Sequence, residues 1–385
     1  MEKKENLVTP DEERKVFEQG KKIGAYTIIR LIGQGGYGDI YEVSHQRDDD
    51  DEERNNSNTN IFAMKVEHIS SPKQALSYEK NILKELKGSH FFPHLYYYGI
   101  EMSFHYLVMD LLGPSLSNTR RELAKHRFSL FTTLRLSVFM LQCIQNFHKR
   151  GYVHCDIKPG NFLLRSHLVH YIEESDEKNE KAKAKRKTSK LSLMMTDSPI
   201  VLIDYGLSRQ FIDPNTNSPF PDRRLGGFVG TTKYASLNIH QGFDTSPRDD
   251  LASWIYSTVE MIDGKLPWSK TNDLKKTKFL KTVIPAGKLL ESLPSQFIEI
   301  YSHVKGLSYE DTPNYDFIYN LLNEAIMKIG DPKTEPFDWE QFDQEKIHSF
   351  SAIDTLPKAS DTQLFPEELE ISRGPTSQSA CCLLI

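Results

Sequence analysis

The stretch His154-Cys155-Asp156-Ile157-Lys158-Pro159-Gly160-Asn161, continued by the apolar run Phe162-Leu163-Leu164, decides how the chain is to be read. It sets a carboxylate, an ammonium and an amide close together just after a helical pattern. Downstream, Ile200 to Ile203 reads as a buried strand ending in Asp204-Tyr205-Gly206, which supplies a second carboxylate. In that pattern Asp156 is placed to accept the proton of an attacking hydroxyl and Lys158 to neutralise charge on a moving phosphoryl group. Asn161 and Asp204 together make a hard oxygen site of the kind that takes Mg²⁺ beside nucleotide phosphates. Each piece also has a bland reading: Asp156 as a turn residue, Asn161 as a cap, Asp-Tyr-Gly as a hairpin turn. Their joint order and spacing argue against coincidence.

Working outward, Gly33, Gly35 and Gly38 in GQGGYGD are spaced G-x-G-x-x-G, which lets backbone amides approach phosphate oxygens. A dinucleotide fingerprint would need a helix next, whereas Ile40, Tyr41 and Val43 continue as a strand, and the Lys-Ser/Thr of a P-loop is absent. The glycines therefore read as a strand-turn-strand flap, or as an ordinary glycine-rich hairpin. Lys65 lies inside the next strand pattern, IFAMKVE. In the helical pattern from Lys73 to Leu86, Glu79 sits on the apolar stripe of Ala75, Tyr78, Ile82, Leu83 and Leu86. A carboxylate there needs a cation or must reach water, and Lys65 is the economical partner, its ammonium then aimed beneath the flap.

The chain has 385 residues, 38% hydrophobic and 26% charged, with a net charge of −5. This is globular composition with no global basic field, so nucleic-acid binding is disfavoured. Four cysteines make neither a disulfide framework nor a paired zinc pattern, and a reducing, cytoplasmic setting fits. The first residues carry no apolar signal region, and no run of about 18 apolar residues would span a bilayer, so neither secretion nor membrane insertion is expected. Residues 1–24 read as a charged extension. Residues 25–112 form a strand-rich part with one helix, broken by an acidic insertion at 45–60. Residues 113–345 are mainly helical, with a charged insertion at 166–198 splitting a short hairpin. Residues 346–385 read as a disordered tail. The expected fold class is α+β.

At this point the sequence resembles the eukaryotic protein kinases over residues 26 to about 330, and more narrowly the casein kinase 1 family. The narrower likeness rests on Leu112-Gly113-Pro114-Ser115-Leu116, on Gly-Thr-Thr-Lys-Tyr-Ala-Ser at 230–236 in place of Ala-Pro-Glu, on Arg248-Asp249-Asp250-Leu251 and on Leu266-Pro267-Trp268. Asp-Tyr-Gly at 204–206 is also shared with the related vaccinia-related kinases, and tau-tubulin kinases are close relatives. The resemblance implies a bilobal kinase fold and a serine/threonine kinase that transfers the γ-phosphate of ATP with Mg²⁺. Asp156, Lys158, Lys65 and Glu79 would be catalytic, and Asn161 and Asp204 the metal ligands.

It further implies that Met109 is the gatekeeper and that the Asp110 carbonyl and Leu112 amide meet adenine. Gly33, Gln34, Gly35, Gly36, Gly38, Ile40, Ala63, Lys65, Leu163 and Ile203 would complete the nucleotide site. Asp250 would brace the catalytic loop. Lys233 stands where the family holds an anionic group of the substrate, and Lys275, Lys276 and Lys278 either extend that site or form a solvated face. Acidic or already phosphorylated protein substrates, and a monomer, are expected. Cys155 replaces the arginine that couples a loop phosphate to the catalytic loop in most kinases, so activity without activation-loop phosphorylation is expected. All catalytic positions being filled, a pseudokinase or scaffold is the weaker alternative.

The final Cys382-Leu383-Leu384-Ile385 has C-a-a-X form. Prenylation of Cys382, with palmitoylation of Cys381 as second anchor, would hold the chain at the cytoplasmic face of a membrane; a free apolar tail is the alternative. Which prenyl group would be added is not decided by the terminal isoleucine. The basic run at 181–187 reads as a solvated face or a nuclear signal.

Overall fold

A computed structural model describes residues 17–35, 38–45, 60–71, 74–165, 198–223, 227–330 and 335–341. The expected insertions, the tail, Gly36, Cys381, Cys382 and the basic run at 181–187 fall outside the described residues, apart from the boundary residues His45, Asn60 and Ser198. Six strands and a helix among the described residues build the first lobe: β1 (Lys22–Ile23), β2 (Tyr26–Gly35), β3 (Gly38–His45), β4 (Asn60–His68), α1 (Ala75–Glu85), β5 (Leu95–Glu101) and β6 (Phe104–Met109). They form one antiparallel sheet in the order β1-β2-β3-β4-β6-β5. Strict alternation splits the sheet into two faces. Tyr41, Val43, Met64, Val66 and Val108 make a small core on one face. On the other, register sets Gly33 against Ile40, Ile40 against Lys65 and Ala63 against Met109, so the nucleotide-site candidates share a surface.

The folded unit begins earlier than the expected boundary at residue 25. Phe17 packs against Phe104 and Tyr41, its N–H donating to the Tyr41 hydroxyl at 3.0 Å, and Ile23 is buried. Apolar side chains near the end of the charged segment find a sheet face to cover, which its composition conceals.

Beyond the hinge the chain is mainly helical, with α2 (Leu116–Glu122), α3 (Leu130–His148), α4 (Leu237–His240), α5 (Pro247–Asp263), α6 (Leu274–Val283), α7 (Ala286–Leu289), α8 (Gln296–Gly306) and α9 (Tyr315–Met327). Short strands frame the catalytic segments: β7 (Tyr152–Val153), β8 (Phe162–Leu164), β9 (Ile200–Leu202), β10 (Arg209–Gln210), β11 (Ile212–Asp213) and β12 (Ser218–Pro219). Ser129 opens α3 by accepting the Thr132 N–H, and α3 then buries an almost unbroken apolar surface against α5 and α9. β8 and β9 pair across the 166–197 gap, Phe162 opposite Leu202, while Ser198 is already buried and bonded to Ile200. One continuous apolar core runs from Ile32 and α1 into these helices. It fastens the sheet to the helical lobe along the line where the candidate residues meet. Among the described residues no helix is long and apolar enough to cross a membrane.

Candidate active site

Lys65 on β4 is buried, and its Nζ meets Glu79 Oε2 at 2.6 Å and Asp204 Oδ1 at 3.6 Å. Burial would favour the neutral amine, yet the charges of Glu79 and Asp204 hold Lys65 above the ordinary lysine range. Glu79 also accepts a backbone hydrogen bond from Tyr205, which ties α1 to the segment carrying Asp204. Sequence reasoning missed what fixes α1 itself. Gln74 makes no side-chain cap; instead Glu67, two residues past Lys65 on β4, accepts from the Leu76 N–H at 2.8 Å and the Ala75 N–H at 3.2 Å. A carboxylate at the positive end of a helix is favourable. One strand therefore supplies both the ammonium that meets Glu79 and the anion that anchors Glu79's helix.

The second cluster forms where β7 ends. Asp156 Oδ2 accepts from Lys158 Nζ at 2.5 Å, and Oδ1 accepts from the Thr231 N–H at 2.9 Å and hydroxyl at 2.7 Å. Asn161 Nδ2 donates to the Asp156 carbonyl at 2.8 Å. Burial alone would raise the Asp156 carboxyl, but the Lys158 charge and the hydrogen bonds from Lys158 and Thr231 outweigh it and keep it below the usual carboxylate range. Thr231 was not anticipated. It comes close because Gly230, at φ +88°, lies against the Cys155 carbonyl, where an added Cβ would come within 2.3 Å.

The two clusters are joined through the backbone: the Ile203 N–H donates to the Asn161 carbonyl at 2.9 Å and the His154 ring meets the Ile203 carbonyl at 3.1 Å. Asp204 follows immediately at φ +68°. The Asn161 and Asp204 Oδ1 atoms are both buried without a hydrogen-bond partner. Two orphaned neutral or anionic oxygens suit a hard divalent cation, so the residues present fit Mg²⁺. Asp250 reaches up from α5 and accepts the His154 N–H at 2.7 Å and the Cys155 N–H at 2.9 Å, and His148 meets it at 2.8 Å. Cys155 takes φ +67° and packs with Val153, Phe211 and Tyr309; burial, reinforced by the Asp250 charge, pushes its thiol far above the usual range, so it is an inert packed residue.

Around the hinge, the Gly113 N–H donates to the Leu164 carbonyl at 2.8 Å, and Ser115 caps α2. The Leu164 N–H returns a bond to the Pro114 carbonyl at 3.0 Å and Leu163 bridges Ser115, so the segment after Met109 is held against β8. Gly38 closes the flap; at φ +124° its Cα passes so near the Val66 carbonyl that a Cβ would come within 2.1 Å.

Lys233 requires a correction. The resemblance assigns it to an anionic group of the substrate; in the structure its Nζ forms an ion pair with Glu260, which also accepts the Tyr234 hydroxyl and faces Arg120 at 3.5 Å. Glu260 lies on α5, far along the chain, and no local pattern announces the pairing. Lys275 and Lys276 are exposed on α6 and Lys278 is half-buried. The lysine of α6 that reaches the 230–236 segment is Lys281, unforeseen, whose Nζ donates to the Ala235 carbonyl at 2.6 Å and the Thr232 carbonyl at 2.9 Å. Also unforeseen is Asp244, which is buried and accepts from Arg223 at 2.9 Å and pairs with Arg209 at 3.0 Å.

Comparison with known proteins agrees with this arrangement. The protein kinase domain family matches residues 26–327. A protein of Dictyostelium discoideum named as a probable serine/threonine-protein kinase is 35% identical over 325 residues, which is 84% of this chain. The chain spans 58% of that relative's length.

Proposed function

The chain belongs to the protein kinase domain family, and from that premise we propose that it is a serine/threonine protein kinase of casein kinase 1 type. The observation that carries this reading is the convergence of Lys65, Glu79 and Asp204 with Asp156, Lys158 and Asn161 around two orphaned oxygens. Adenine is read by the Asp110 carbonyl and the Leu112 amide, under Ile40 and Ala63 and above Leu163 and Ile203, with Met109 behind. Glycines 33–38 lay backbone amides over the phosphates, and Lys65, held charged by Glu79, steadies them. Mg²⁺, when bound by Asn161 and Asp204, neutralises charge developing on the phosphates. Asp156 stays ionised, orients the acceptor hydroxyl and takes its proton as the phosphoryl group moves; Lys158 lies beside it to offset that group's charge.

The substrate class follows from charge. Lys275 and Lys276 offer exposed ammonium groups on α6, which suits acidic or phosphorylated protein segments, whereas Lys233 is engaged by Glu260. Selectivity for an anion beside the acceptor should accordingly be loose. Independence from loop phosphorylation is supported by Cys155 in place of an arginine and by Asp244, an internal carboxylate that already engages Arg209 and Arg223.

The central test is transfer of labelled phosphate from ATP to casein and to paired peptides with and without a phosphoserine before the acceptor. Asp156→Asn should lower the turnover rate by ~10²–10⁴-fold in protein that still melts cooperatively, at a lowered temperature because buried Lys158 loses its carboxylate partner. Equal turnover in both proteins would make the activity someone else's contaminant or the base another residue. Transfer to sugars or choline in preference to protein would overturn the substrate class.

A further inference from the structure

A groove of about 640 Å³ lies between α1 and β5; of the residues assigned to the nucleotide site only Asp110 lines it. Its floor is apolar, made by Leu83 of α1 and Leu86 just after it, with Phe92 and Leu95. Its rim is basic: Lys80, Lys84 and Lys87 from α1 and the turn after it, with His90, His94 and Arg165 alongside. Asp110 is the lone carboxylate lining it, and both of its oxygens are spent, one on the His94 N–H at 2.7 Å and the other on the Tyr96 hydroxyl at 2.9 Å. Lys80 rests on the Tyr98 ring, 4.6 Å from its centroid. Lys84 and Lys87 are exposed, and neither has an ion-pair partner among the described residues. These two ammonium groups stand beside the apolar floor without a countercharge among the described residues.

The wall formed by β5 adds a second kind of recognition. β5 is the edge of the six-stranded sheet, and among the described residues no strand pairs with its outer side. Edge strands are normally short, charged or covered, because their free N–H and C=O groups recruit other chains. This one runs from Leu95 to Glu101 and shows large apolar and aromatic side chains to solvent, with Tyr96 and Tyr97 each 49% and Ile100 60% exposed. An extended peptide added there would gain backbone hydrogen bonds, and its alternate side chains would meet the lysine rim.

We propose that this groove docks an extended acidic segment of a partner protein, laid along β5 with its carboxylates against Lys84 and Lys87. A peptide is favoured over a nucleic acid because the unpaired strand edge offers backbone N–H and C=O groups in the spacing of a peptide backbone. The surface is separate from the residues that would carry out transfer, so binding can be measured without catalysis.

The probe is a fluorescein-labelled peptide alternating glutamate with valine, titrated by anisotropy against the full chain. Binding should weaken at least tenfold in Lys84→Glu/Lys87→Glu and about as much in Lys84→Gln/Lys87→Gln, while Lys84→Arg/Lys87→Arg keeps it. Saturating peptide should slow amide exchange across Leu95–Glu101. Unmeasurable binding to the parent chain, equal affinity in the parent and both neutralised variants, or unaltered exchange in β5 would each overturn the proposal. So would a single-stranded oligonucleotide that competes with the peptide and binds more tightly, which would make the groove a nucleic-acid site.

Discussion

Lys65 and Glu79 were legible because a carboxylate on an apolar helical stripe demands a cation, and the structure sets them 2.6 Å apart with both side chains almost wholly buried. Breaking one partner of such a pair leaves a charge stranded in a low-dielectric interior, at a cost of ~3–5 kcal/mol. Lys65→Met should therefore destabilise the protein heavily by chemical denaturation, and Lys65→Met/Glu79→Leu should recover much of the loss by removing the orphan. Transfer activity should stay absent in both. A double variant that regained activity would show that the ammonium is not needed at the phosphates, and one that stayed as unstable as the single variant would show that the pair is not what holds this corner. Asp156, Asn161 and Asp204 were legible for the same reason, since their chemistry is fixed by residue type and spacing. The Lys233–Glu260 ion pair gave no signal, because the fold brings Glu260 from α5. Thr231 gave no signal, being one threonine among many until Gly230 lets its loop close on Asp156.

Among the elements, α1 carries most of the functional burden, and its anchoring is tertiary. Ala75, Ile82, Leu83 and Leu86 of the stripe are buried as expected, but Tyr78 is exposed and Leu76, outside the stripe, is buried instead; the starting point of α1 could not be read, because the capping carboxylate belongs to another strand. Glu67 satisfies two amide donors at the positive end of the helix and also accepts from the Ser71 hydroxyl at 2.8 Å. Glu67→Gln keeps the shape but removes the charge and sets an amide donor against backbone N–H groups. Loss of a good N-cap costs ~1 kcal/mol, so the melting temperature should fall modestly. Activity should fall more than stability does, because a loosened α1 carries Glu79 away from Lys65. Kinetics at saturating and limiting ATP check this: a severalfold drop in kcat/KM for ATP is expected, and a variant with lowered stability but parental kinetics would remove Glu67 from the positioning of the site.

At the scale of the whole molecule, the two lobes were legible from a change in periodicity at Gly113, while the true start of the fold was not, because Phe17 sits near the end of a charged segment. Equally hidden was the way α6 grips the 230–236 segment, and that grip makes the stability of the entire fold depend on pH. His240 lies in this contact with its Nε2 3.2 Å from Lys281 Nζ and its ring 5.3 Å from Phe228. Burial first, then the charges of Lys281 and Lys278, push its pKa down from 6.5 to about 3, against a weaker upward pull from the Thr232 backbone. Between those two values the unfolded chain binds a proton that the folded chain refuses, so the His240 contribution to stability is complete above about pH 6.5 and is lost as pH falls toward 3. The ring is partly open to water, which screens the effect to about 2 kcal/mol at the bottom of the window. Lys281 itself is pushed down by burial and works in the same direction at higher pH. Because the 230–236 segment also carries Thr231 to Asp156, unfolding there and loss of activity should coincide. Melting curves from about pH 8 to 5 should slope downward in the parent and less steeply in His240→Gln, whose side chain takes no proton. Parallel slopes would mean that the acid sensitivity arises elsewhere and that the α6 contact does not govern it.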